Sequence, residues 1–197
     1  NYLILFNQNL LLQKINKMKK ITIILSVLIA ITIKANAQIP NSGFETWTTV
    51  GTYENPNGWG TADGACSGTF FPVTKSTDHY PVAIGTFSIR LENNTTLLPP
   101  ASYCGIGVAG VSSPTYGPGF PITGHPASLT GYYKFLPQNG DTMIISLQLF
   151  KLGIQVSNAE LKTAVSAATW TSFNIPFYTY ATADSGRIRL SCTASCR

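Results

Sequence analysis

LTGYYKFLPQNGDTMIISLQLF, residues 129–150, is the stretch on which the fold is read. Its first leg sets Leu129, Gly131, Tyr133 and Phe135 on one face and Thr130, Tyr132 and Lys134 on the other. A repeat of two is that of a pleated strand with one side against a core. The second leg repeats the pattern, with Met143, Ile145, Leu147 and Leu149 alternating with polar Ser146 and Gln148. Pro137, Asn139, Gly140 and Asp141 stand between the legs. Asn-Gly supplies the positive φ angles of a tight turn, and Pro137 opposes extension of the ladder. The stretch reads as a β-hairpin.

The same alternation recurs on both sides of it. Residues 39–48 form a first strand, 70–76 a short one, and 86–92 a cleaner one with Phe87, Ile89 and Leu91 inward and Arg90 outward. Residues 103–111 are apolar and glycine-rich, and 112–126 are loop by their prolines and glycines. Further strands follow at 156–165, 169–175 and 187–191, and no helical period of useful length appears beyond residue 38. Short strands at regular spacing with turn signals between them indicate an all-β fold, an antiparallel β-sandwich of jelly-roll type.

The start of the chain belongs to another class of segment. Met18-Lys19-Lys20, an apolar run at 21–33 and Ala35-Asn36-Ala37 are the three parts of a secretory signal peptide, a short helix removed after Ala37. The run is shorter than the roughly 18 residues of a spanning helix, so no membrane span is expected in the mature chain. Residues 1–17 precede Met18, the expected initiator, and read as upstream translated sequence, which leaves 38–197 as one domain. The net charge of +5 then resides in the leader, because eight basic residues beyond Gln38 face eight acidic ones. A nucleic-acid partner loses its electrostatic support.

Four cysteines, Cys66, Cys104, Cys192 and Cys196, would enter an oxidising compartment behind such a leader. An even count there favours disulfides with three possible connectivities. Cys66–Cys104 is the preferred bridge, since Cys192 and Cys196 are near neighbours at the end of the chain. With only His79 and His125 to assist the thiols, a zinc site is disfavoured.

Three segments carry a family resemblance. NSGFETW at 41–47 with ENPNGW at 54–59 resembles the opening of secreted β-sandwich domains of the galactose-binding-like fold. TGHPASLTGYYKF at 123–135, followed by NGDTMIISLQLF, resembles the "putative carbohydrate metabolism domain" of Bacteroidetes cell-surface and secreted proteins. GTFSIRLEN at 85–93 looks like the alternating strand between them. The resemblance implies export to the cell surface or beyond, by the type IX route. In such domains a final strand returns beside the first. SCTASCR at 191–197 lacks it, so truncation of the domain is expected, with the first strand left as an open edge.

The resemblance also directs attention to Glu45, at a position where such modules hold a structural calcium; a hydrogen-bonded structural carboxylate is the alternative. An indole face suits a sugar ring, so Trp47, Trp59 and Trp170 are candidates to stack on one, with Trp47 and Trp59 better read as plugs at the ends of the sandwich. Tyr132 should point away from the core beside Lys134, near Gln148 if the hairpin holds, with Arg90 also outward. An aromatic platform with such donors is the composition of a carbohydrate-binding face; a plain polar sheet face is the alternative. Ser76, Asp78 and His79 evoke a hydrolase triad, but no G-x-S-x-G elbow accompanies them. The expectation is therefore a secreted carbohydrate-binding module that is not an enzyme, whose partner is a glycan or a cell-surface component. A structural or adhesive module of a larger surface protein is the second reading.

Overall fold

The computed structural model describes residues 39–65, 70–93, 105–110, 119–123, 126–138, 140–178 and 182–193. All of them belong to the compact unit Asn36–Arg197. The expected leader, His125 and the expected Cys66–Cys104 bridge lie outside the described residues. Twelve strands follow in order: β1 (Trp47–Val50), β2 (Tyr53–Pro56), β3 (Trp59–Thr61), β4 (Val73–Ser76), β5 (Ser88–Leu91), β6 (Ile106–Ala109), β7 (Phe120–Pro121), β8 (Ser128–Phe135), β9 (Thr142–Lys151), β10 (Ile154–Thr163), β11 (Ala167–Pro176) and β12 (Ser185–Thr193). A 3-10 turn at Ala62–Ala65 is the one helical element among the described residues. No described helix is long and apolar enough to cross a membrane.

Two layers face each other across the core. One is a six-stranded sheet in the order β10-β9-β12-β6-β3, with β7 also on β12; the other contains the pair β11-β8. Leu129 and Phe135 of β8 and Ile175 of β11 join Met143, Ile145, Leu147 and Leu149 of β9 and Ile188 of β12 in one buried cluster. Trp59, Phe120, Ile122 and Phe177 complete it. The predicted alternation holds: Leu129 and Phe135 are buried and Tyr133 packs on the core, while Thr130, Tyr132 and Lys134 are exposed. The architecture is an all-β antiparallel sandwich.

The predicted 129–150 hairpin is not a hairpin. β8 pairs with β11, whereas β9 pairs with β10 and β12. The turn chemistry is present, since Gly140 has φ +83° and the Asp141 amide donates to the Gln138 carbonyl at 3.0 Å. That turn carries the chain from one layer to the other. Each leg has a full apolar face, and facing the two across the core buries them against each other. The true two-residue hairpin joins β9 to β10 through Leu152 (φ +50°) and Gly153 (φ +79°), the backbone of a type I′ turn. Asp184 holds it, its Oδ2 accepting from the Leu152 amide at 2.7 Å.

One further expectation changes. Residues 40–43 are turn, and the first strand begins at Trp47. Asn41 and Phe44 take positive φ, and the Asn41 side chain donates to the Thr46 carbonyl at 2.8 Å while accepting from its amide. Among the described residues β1 pairs with β2 alone, so its other edge has no ladder partner, and β12 lies between β9 and β6. The indoles of Trp47 and Trp59 donate to the carbonyls of Phe44 and Pro40, fastening this opening turn.

Asp63, fully buried, ties β3 to β4: its Oδ1 accepts from the Val73 amide at 3.0 Å, and its Oδ2 has no hydrogen-bond partner among the described residues. Burial pushes the carboxyl up from 3.8 to about 6, against the opposing bonds from Val73 and Thr61. An acid whose folded pKa is raised contributes stability fully below its unfolded value and loses it as pH rises through the folded one. Asp63→Asn keeps an oxygen for Val73 without the charge. It should match the wild type near pH ~4 and exceed it by about 3 kcal/mol above pH ~7 in urea unfolding.

Candidate functional site

Among the described residues, the outer face of the β8–β11 pair gathers a constellation of aromatic and charged side chains. Strand alternation turns Tyr132 and Lys134 outward from β8. On β11 the register shifts between Ala167 and Thr171, and Trp170 within that irregularity lies beside Lys134, whose Nζ sits 5.4 Å from the indole centroid. The loop after β4 supplies Asp78. Its Oδ2 accepts from Lys134 Nζ at 2.7 Å and its Oδ1 from Trp170 Nε1 at 3.0 Å. The backbone of Asp78 is held as well, its amide donating to Ser76 Oγ and its carbonyl accepting from Ser88 Oγ.

Tyr80, two residues on, lays its ring against Tyr132 with centroids 4.5 Å apart and planes inclined at 58°. Both tyrosines remain 46% exposed. Ser172 stands opposite Tyr132 and Asn174 opposite Thr130, extending the face as an exposed polar strip. The bonds from Lys134 and Trp170 hold the Asp78 carboxyl below the usual carboxylate range, so it is an anion and an acceptor throughout the neutral and mildly acidic range.

The four binding residues expected from sequence separate in three directions. Tyr132 and Lys134 come together as expected. Gln148 lies on β9 in the opposite layer, flanked across the ladder by Asn158 and Arg187. Only a hairpin register would bring it to the Tyr132 face, and the crossover between layers removes that register. Arg90 sits on β5, its guanidinium paired with Glu92. Asp78, Tyr80 and Trp170 take the places beside Tyr132 instead. Asp78 and Tyr80 are in the loop weighed above as a triad, where His79 has its Nδ1 on the Thr77 carbonyl at 2.9 Å.

Glu45 serves the backbone. Its carboxylate accepts from the amides of Thr86, at 3.0 and 2.9 Å, and Phe87, at 3.2 Å. These are donors, the reverse of the oxygen shell a calcium ion requires. No group of three or more His, Cys, Asp or Glu gathers as a metal set among the described residues. Gly85, with φ +83°, lets the carboxylate in, since a Cβ there would meet Glu45 Oε1. Cys192 is a buried thiol that donates to Asn93 Oδ1 at 3.1 Å, and burial pushes it up to about 11.

No protein-family model matches the chain, and no curated protein matches it. Solved structures do share the fold. A "putative glycoside hydrolase" of Bacteroides thetaiotaomicron superposes with a TM-score of 0.56 at 14% identity, over 81% of this chain and 64% of that one. The chain thus spans less than two thirds of that neighbour. A "putative glycoside hydrolase" of Bacteroides vulgatus gives 0.51 at 16% identity, over 80% of this chain and 89% of that one. At such identity the likeness is one of fold, and galactose-binding-like membership still rests on sequence resemblance alone. The expectation that the chain is not an enzyme is overturned by it: this sandwich is the architecture of two proteins named as hydrolases, so the fold does not mark a non-catalytic module.

Removing Glu45 should free the loop that precedes β5. In Glu45→Ala the Thr86 and Phe87 amides should exchange with deuterium roughly ten-fold faster or more, with those of β9 unchanged. Millimolar calcium should leave the wild-type Tm where it is, and a rise would restore the metal reading.

Proposed function

We propose that the chain handles carbohydrate, holding a glycan on the outer face of β8 and β11. The observation that carries this reading is the exposed Tyr80–Tyr132 ring pair flanked by the Asp78–Lys134 ion pair. Tyrosine rings offer apolar surface to the C–H face of a sugar, and a charged acceptor and donor beside them suit its hydroxyls. The likeness of fold to the two Bacteroides proteins supports the carbohydrate setting. The leader-like residues 18–37 support export, and a secreted or cell-surface location is part of the proposal.

A glycan array tests it. Tyr132→Ala should keep the β-sheet circular dichroism of the wild type and lose roughly ten-fold or more of its retention. Unchanged retention would remove the site from this face.

Hydrolysis of the bound glycan is a second reading, favoured by the names of the two solved structures. It is tested by reducing-end release from each glycan the protein retains. Release that Tyr132→Ala abolishes supports it. A glycan held for hours at full length argues against it.

A further inference from the structure

The geometry of the face selects among glycans, and this inference rests on the reading just given. Charge comes first. Lys134 is closed by Asp78 at 2.7 Å, and the Asp78 side chain is itself 60% exposed. The cations of the neighbouring β4–β5 pair are closed as well, Lys75 by Glu54 and Arg90 by Glu92. A uronic acid or a sulfated sugar brought to this face would meet an exposed carboxylate beside an ammonium group that is already paired. A neutral sugar meets an acceptor and a donor held in place. Each Asp78 oxygen makes one bond in the cluster and retains a lone pair for a hydroxyl.

Ring angle comes second. A crystalline polysaccharide presents a flat sheet of pyranose faces, and aromatic residues that bind it must share a plane. Tyr80 and Tyr132 are inclined at 58°, so one of them at most can lie on such a surface. Their centroids are 4.5 Å apart, so the two rings touch and offer two differently tilted faces side by side. A chain whose successive sugars turn relative to each other can address both faces. The exposed strip of Thr130, Ser172 and Asn174 lies along the same two strands.

We propose that this face takes a neutral, soluble glycan chain that turns along its length, in preference to a flat polysaccharide surface or an acidic glycan. The test uses the whole chain in native gels containing starch, a β-1,3-glucan, galactomannan, xylan or polygalacturonate, and in depletion by microcrystalline cellulose and crystalline chitin. Retardation is expected with at least one neutral soluble polymer. It should weaken roughly ten-fold or more in both Tyr80→Ala and Tyr132→Ala, each checked for an unchanged circular dichroism spectrum. Tyr132-dependent binding confined to cellulose or chitin, or strongest with polygalacturonate, overturns this inference and leaves glycan binding intact. So does a Tyr80→Ala protein that binds like the wild type. Absence of binding to every polymer overturns both.

Discussion

The sandwich depends on one steric and solvation constraint: β8 and β9 each carry an unbroken apolar face, and each face needs a counterpart. Facing each other across the core, Leu129 and Phe135 share a buried cluster with Met143, Ile145, Leu147 and Leu149. Burial at about 25 cal/mol per Å² makes this the dominant favourable contribution. Everything downstream adapts to it. β10 returns beside β9, β11 returns beside β8, and β12 enters the larger sheet between β9 and β6. Gly131 is shaped by the same demand, because a Cβ there would meet the Phe173 ring at 2.8 Å.

What the amino-acid order disclosed was whatever is local. The alternation along 128–135 assigned Tyr132 to solvent and Tyr133 to the core side, and the structure agrees. Strand pairing is not local. The hairpin error arose because turn residues show that the chain reverses, whereas the choice of layer depends on faces that meet across the core. The real hairpin was hidden for the opposite reason, since Leu152 is a residue that ordinarily avoids positive φ. Turn propensity did not reveal it; the bond from Asp184, 32 positions away, helps hold it.

The site follows the same division. Tyr132 and Lys134 share a strand and could be grouped by counting. Asp78 reaches Lys134 across 56 positions and Trp170 across 92. Such a junction has no local sequence signature, and a lone Asp in a loop is an unremarkable residue. Gln148 was misplaced because its assignment inherited the hairpin. Glu45 is a different case: of its two readings, hydrogen-bonded carboxylate and calcium ligand, the first agrees with the structure, and its partners are two amides 41 and 42 positions away, which local sequence does not reveal.

Asp78 is already doubly engaged before any ligand arrives, and Ser76 and Ser88 hold its backbone. The lysine, the indole and the carboxylate are immobilised by one another, so the rotameric freedom a flexible surface would surrender on association has been surrendered on folding. A ligand taken up on this surface would therefore meet a cluster that is already organised, a case closer to lock-and-key than to induced fit.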